Sequence, residues 1–260
     1  MTVKRLSLNL CEGVRRFYLS NILSTFSKKL QLLSLAMEIK YSKKTCILKM
    51  LKFIALCAVL LISLSIPYFY HFVLNENSKI DSTLAYDGFS LLVSAVLLLV
   101  LSVYSTKEKL HIWNFKGNRL FLKPLVVSVV LAFIWQLLTI IIYYLSTGSY
   151  IHKTLSLGIS SVLIHFASFV LLGPVMEELI FRKWFIDMME RGGFSKMCVI
   201  IVGSILFFCL HIGGDIVRID TLIIAIPLCI IYIKTHDVRY CIITHITNNF
   251  IAFIFALGLI

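Results

Sequence analysis

The sequence predicts an all-α membrane protein, a polytopic bundle of about seven transmembrane helices with an amphipathic N-terminal arm. Of its 260 residues, 59% are hydrophobic and only 15% are charged, whereas soluble domains carry about a quarter charged residues. Most of the apolar residues are gathered into runs, several of them long enough to cross about 30 Å of hydrocarbon. Such a chain requires lipid as its solvent, because a water-soluble fold would leave much of this apolar surface in water.

Residues 1–52 form a basic arm that is too charged for a signal peptide. Apolar residues within the arm recur at helical spacing, and their polar neighbours fall largely elsewhere on the helical wheel. This pattern predicts an amphipathic helix on the inner membrane surface. A partner-binding or poorly ordered arm is the alternative. The apolar positions are Leu19, Ile22, Leu23, Phe26, Leu30 and Leu33.

Seven apolar spans follow the arm. They cover residues 53–74, 88–105, 124–145, 155–181, 197–211, 221–233 and 241–257. Gly173-Pro174 interrupts the fourth span, and proline there is expected to bend or break the helix. A turn at this pair would raise the count to eight. The chain therefore divides into the arm 1–52, accessory helices at 53–154 and a C-terminal bundle at 155–260.

The basic residues predict the orientation in the cell membrane. With the N-terminus in the cytoplasm, the inner segments 1–52, 106–123, 181–196 and 234–240 hold 22 of the 25 Lys and Arg residues. This distribution follows the positive-inside rule. The net charge of +12 is thus assigned to topology and to contact with anionic lipid. No nucleic-acid partner is predicted, because no nucleic-acid-binding motif accompanies the charge.

The seven cysteines indicate neither a disulfide framework nor a zinc cluster. Their number is odd, no C-x-x-C pair occurs, and five of them lie inside apolar spans. We interpret them as small buried apolar side chains. The sequence leaves the oligomeric state open.

Two adjacent carboxylates end the fourth apolar span. Charged residues inside a membrane are costly, so they are functional candidates. Glu178 and Arg182 are four apart and share a helix face, so Arg182 can neutralise Glu178. Glu177 points about 100° away and is left free for proton transfer. The alternative is an interfacial Glu–Arg pair that merely ends a helix.

Histidines mark two later spans. His211 closes the fifth span, and Phe207, one turn earlier, is placed to pack against its ring. His245 and Asn249 are four apart on one face of the last span. The alternatives are an interfacial histidine and polar contacts between helices.

A helical hairpin would bring the first two of these sites together. Gly192-Gly193 offers a turn, and a hairpin centred near position 194 pairs residue 177 with residue 211 at equal depth. His245 is less well placed, since it lies close to the basic loop 234–240, and only tilt or a dipping loop would bring it to the same depth.

Three motifs on successive apolar segments resemble the CAAX protease and bacteriocin-processing family, also called CPBP or Abi. The resemblance covers about residues 155–257. Lys183 stands where many members of the family carry glycine. The motifs occur in the order Glu177-Glu178-x-x-x-Arg182, Phe207-x-x-x-His211 and His245-x-x-x-Asn249.

The resemblance implies an intramembrane endopeptidase. In that family pattern Glu177, as general base, and His211 activate a water, while His245 and Asn249 stabilise the oxyanion. Glu178, Arg182 and Phe207 would then support the site. No cofactor is expected. A zinc site made of Glu177, His211 and His245 is the alternative, because this is a known ligand set, although no H-E-x-x-H motif is present to preorganise a metal.

The substrate implied is a membrane-associated peptide or membrane protein. A composition rich in Lys, Ile and Phe hints at a bacterium with an AT-rich genome, which favours a leader or pheromone-type peptide over a prenylated protein. A non-proteolytic membrane regulator or bacteriocin self-immunity protein is the alternative within the family. A transporter is a third class, but no internal repeat or pair of broken helices supports it.

Overall fold

Seven helices make up the regular secondary structure of the part of the chain that the computed structural model describes. This part comprises residues 41–68, 82–110, 112–113, 121–148, 158–212 and 218–257. The helices are α1 Lys43–Tyr68, α2 Ser82–Lys107, α3 Leu122–Thr147, α4 Ile159–Arg191, α5 Lys196–Cys209, α6 Ile219–Thr235 and α7 Arg239–Ala256. The all-helical fold class is confirmed. The predicted amphipathic helix at 19–33 lies outside the described residues.

Four of these helices, α1 to α4, are long and apolar enough to cross a membrane. Large apolar side chains are exposed along α1 and α3, among them Ile62 and Leu145, which are 63% and 77% exposed. Such surfaces need lipid around them, so the chain is a membrane protein. The remaining three helices are shorter, and the count of seven spans stays a prediction.

The observed helices extend beyond the apolar spans. Helix α1 begins at Lys43 and α2 at Ser82, whereas the spans were expected to start at residues 53 and 88. Hydropathy locates the part of a helix that can lie in hydrocarbon, and a helix can continue through charged residues into the headgroup region.

Helix α4 passes Gly173-Pro174 without a turn, so of the expected bend or break the break does not occur, and the turn that would have added an eighth span is not observed there. The preceding residues, Phe166–Leu172, are π-helical, and the Gly173 N–H donates to the carbonyl of Ser168, five residues back. Proline breaks an ordinary α-helix because its ring meets the carbonyl four residues earlier. The wider π turn relieves that conflict, and the helix continues for 33 residues.

We expect Gly173→Ala to destabilise this wide turn. An added Cβ would lie 2.8 Å from the Ser168 carbonyl oxygen, and such overpacking against backbone typically costs about 1–3 kcal/mol. The matched control is Gly88→Ala in α2, where a Cβ meets nothing within 4 Å and alanine is the better helix former. Thermal unfolding in detergent should show a lower Tm for the first variant only. Equal Tm values for the two would contradict this account of the turn.

Helices α4 and α5 form the predicted hairpin. Gly193 lies in the left-handed region with φ of 68°, and the Ser195 hydroxyl accepts the Cys198 N–H to cap α5. Helix α5 packs against α6, α7 packs against α3 and α4, and α2 packs along α4. Helices α4 and α7, which carry the first and third motifs, are therefore in direct contact, and α5, which carries Phe207, is joined to α4 by the hairpin.

Candidate active site

A cavity of about 610 Å³ is lined by residues of α2, α3, α4 and α7, and by His211 and Arg218 between α5 and α6. All four predicted catalytic residues, Glu177, His211, His245 and Asn249, are among its lining residues. A space of this size is typical of ligand-binding clefts, and it can hold a few residues of a peptide.

Glu177 is the free carboxylate of the site. Its Oε2 lies 3.9 Å from His211 Nε2 and 4.0 Å from His245 Nε2, and this buried oxygen has no hydrogen-bond partner among the described residues. Both distances are too long for direct hydrogen bonds. The carboxylate oxygen and the two ring nitrogens thus face a common small volume, and His245 reaches it from inside α7 despite its position near the basic loop.

His211 is held in one tautomer. Its Nδ1 lies 2.8 Å from the Phe207 carbonyl oxygen, and a carbonyl can only accept, so Nδ1 carries the proton. In the neutral ring Nε2 then presents a lone pair toward Glu177. A water between the two groups can donate one hydrogen to each of them.

Glu178 is the structural carboxylate. It is fully buried, and its two oxygens lie 3.2 Å from Arg182 Nε and 3.0 Å from His245 Nδ1. The contact with the equally buried Arg182 is electrostatic, since the guanidinium nitrogens lack hydrogen-bond geometry to any described acceptor. Glu178 therefore fixes both a buried cation and the ring of His245.

Phe207 packs at the centre of these groups. Its ring centroid lies 4.7 Å from that of His211 and 4.1 Å from the Arg182 guanidinium carbon. A guanidinium over an aromatic face gains cation–π attraction, more so when it is desolvated. The expected contact with His211 is present, and the same ring also supports Arg182.

Asn249 is bound to the backbone of α4. Its Nδ2 donates to the Phe169 carbonyl at 2.9 Å, and its Oδ1 accepts from Asn248 Nδ2 at 3.1 Å. One N–H of the Asn249 amide is therefore engaged by the backbone of α4. Asn248 lines the cavity as well, although the sequence analysis gave it no role.

The sequence analysis also did not predict that α3 forms one wall of the cavity. Trp135 lies 4.9 Å from the His245 ring, and its Nε1 donates to the buried Asp220 at 3.0 Å. Thr139 and Arg218 donate to the same carboxylate. Trp135 and the glutamine that follows it could have indicated this wall from the sequence, because polar groups inside a membrane helix tend to face protein or water.

Comparison with known proteins supports the resemblance. Residues 159–251 match the family model described as type II CAAX prenyl endopeptidase Rce1-like, which confirms the family similarity stated from the three motifs. The match covers the helices that carry those motifs. No curated protein and no solved structure matched the chain.

Proposed function

We propose that this membrane protein, whose residues 159–251 match the Rce1-like endopeptidase family, is an intramembrane endopeptidase of the glutamate type. The observation that carries the proposal is the convergence of Glu177 Oε2 with the Nε2 atoms of His211 and His245 on one cavity. An unpartnered carboxylate oxygen beside two imidazoles has the donors and acceptors that water activation requires.

In the proposed mechanism, a water donates hydrogen bonds to Glu177 and His211. Its oxygen attacks the scissile carbonyl carbon while the Glu177 carboxylate takes a proton. The negative charge that develops on the carbonyl oxygen accepts hydrogen bonds from His245 Nε2 and from the second amide N–H of Asn249. When the C–N bond breaks, the proton held by Glu177 passes to the departing nitrogen, which yields a carboxylic acid and an amine.

The contacts of His245 support this role. Glu178 Oε1 lies 3.0 Å from His245 Nδ1, and a carboxylate oxygen only accepts, so Nδ1 carries a proton. Donation from Nε2 to the oxyanion needs a proton on that nitrogen as well, so the proposed mechanism uses the imidazolium form of His245.

The proposed substrate is a membrane-associated peptide, with a leader or pheromone-type peptide as the favoured class. Quantitative proteomics of membrane and secreted peptides should show an uncleaved precursor that accumulates when Glu177→Ala replaces the wild type. Identical peptide populations in the two strains would instead favour the non-proteolytic regulator or self-immunity protein.

We expect peptidase activity to be independent of metal. Two histidines and a glutamate fit zinc by ligand type. However, the Glu177 Oε2 to Nε2 distances of 3.9 and 4.0 Å exceed the spacing of about 3.4 Å between ligand atoms that zinc bonds of about 2.0–2.1 Å impose in a tetrahedral site. Purified protein should stay active after stringent chelation. Activity that is lost to chelators and restored only by zinc would assign the site to a metalloprotease.

We also propose that the N-terminus and the loop 106–123 face the cytoplasm. The placement of 22 of the 25 Lys and Arg residues in the inner segments supports this orientation. Reporter fusions in that loop should give cytoplasmic signals, and fusions near Lys153 should give external ones. The reverse pattern would overturn the orientation.

A further inference from the structure

The carbonyl of Phe169 is left without a helical partner by the local sequence. In a π turn its partner would be the N–H five residues later, but that residue is Pro174, which has no N–H. The residue four later, Gly173, donates to Ser168 instead. A carbonyl within a membrane helix that lacks a donor costs free energy, and here the Asn249 amide supplies the donor at 2.9 Å.

This contact fixes the orientation of the Asn249 side-chain amide, which in turn fixes that of Asn248. Since the Phe169 carbonyl only accepts, Asn249 must present its NH₂ group there, and its Oδ1 must point the other way. Asn248 meets that oxygen with its own NH₂ group at 3.1 Å. The Oδ1 of Asn248 is then the free end of this row of hydrogen bonds, and its orientation is fixed as an acceptor.

The residue that carries this free acceptor lines the cavity. Asn248 is 4% exposed, its Oδ1 is buried without a hydrogen-bond partner in the described residues, and the side chain lines the cavity beside His245 and Asn249. Buried polar atoms are normally paired. An orphaned acceptor next to a reaction site is therefore explained by a donor that arrives with the substrate.

We propose that Asn248 Oδ1 accepts a hydrogen bond from a backbone N–H of the bound peptide and so positions the scissile bond against Glu177. This inference rests on the proposed peptidase function. A peptide N–H is the donor that peptide substrates share at every residue except proline. The site therefore selects an extended peptide main chain, and it excludes proline at the residue whose N–H is bound.

A substrate-based double-mutant cycle tests the contact. The probe is the best-cleaved member of a library of N-palmitoylated, internally quenched decapeptides in detergent micelles. It is then resynthesised as a series of peptides, each with one backbone N–H group replaced by an ester oxygen. With the wild type, the ester at one position should lower kcat/KM by about 10-fold. With Asn248→Ala the same ester should change kcat/KM by no more than about 2-fold, and proline at that position should block cleavage by the wild type.

Controls separate this contact from general damage. Ser90→Ala removes another polar group that lines the cavity, from the α2 wall, and the ester penalty should persist in it. Asn248→Leu keeps the side-chain volume and replaces Asn248→Ala if the latter does not fold. The contact is overturned if the ester penalty is unchanged in the Asn248 variant, or if no ester position lowers kcat/KM in the wild type. In either case, cleavage of the probe by the wild type would still support the peptidase function. Cleavage by Glu177→Gln at the wild-type rate removes Glu177 from the proposed mechanism, and it overturns a contact that positions the scissile bond against Glu177. No cleavage of any library member by the wild type overturns the proposed peptidase function and the contact with it.

Discussion

Glu177→Gln should abolish peptide-bond hydrolysis while the protein still folds. The change is nearly isosteric, but the amide cannot take a proton from water, and a general base contributes about 10²–10⁴-fold to the rate. Little stability should be lost, because the Glu177 Oε2 has no hydrogen-bond partner among the described residues. The measurement is kcat/KM on the probe peptide beside the monodisperse yield in detergent.

Glu190→Gln is the matched control for this prediction. Glu190 lies on the same helix, α4, and it is not among the residues that line the cavity. Its loss should leave kcat/KM close to the wild-type value. Retained activity in Glu177→Gln, together with a folded but inactive Glu178→Gln, would show that the two carboxylates have the opposite roles.

Much of the site could be predicted because helix geometry is regular. The four-residue spacing placed Glu178 against Arg182, and the hairpin arithmetic paired Glu177 with His211, as observed at 3.9 Å. These relations depend on rise and angle per residue within one helix or one hairpin. The sequence therefore contained the information for this half of the site.

What could not be predicted depends on contacts between distant helices and on departures from the α-helix. The approach of His245 to Glu178 needs α7 to pack against α4, and nothing local sets that packing. The π turn before Gly173 was not predicted, because the sequence led us to expect that proline would bend or break a regular α-helix there. The same turn leaves the Phe169 carbonyl free to accept from Asn249, so the unpredicted feature also orients the polar side chains of α7.

The buried Glu178–Arg182 pair gives the largest expected effect on folding. Both side chains are at most 1% exposed, so Glu178→Gln leaves the buried Arg182 charge without its adjacent counter-ion. Removing one partner of a buried ion pair typically costs about 3–5 kcal/mol. We therefore expect a sharp loss of folded yield together with the loss of activity.

The reverse single change should be milder. Arg182→Met leaves Glu178 Oε1 with its partner His245 Nδ1 at 3.0 Å, so the buried carboxylate keeps a hydrogen-bond donor. The loss of folded yield should thus be smaller than for Glu178→Gln, although the packing of the guanidinium on Phe207 at 4.1 Å is also removed.

The double variant tests whether the loss of folded yield comes from the unpaired Arg182 charge or from the loss of the Glu178 carboxylate. In Glu178→Gln with Arg182→Met no buried charge is left unpaired, and the glutamine oxygen can still accept from His245 Nδ1. Neutral replacement of both partners of a buried pair is often tolerated, so the folded yield and Tm in detergent should exceed those of Glu178→Gln alone. The four proteins should be compared by size-exclusion chromatography and thermal unfolding. If the double variant folds no better than Glu178→Gln, the damage comes from the lost carboxylate itself and not from a stranded arginine, and Glu178 then holds the site through His245.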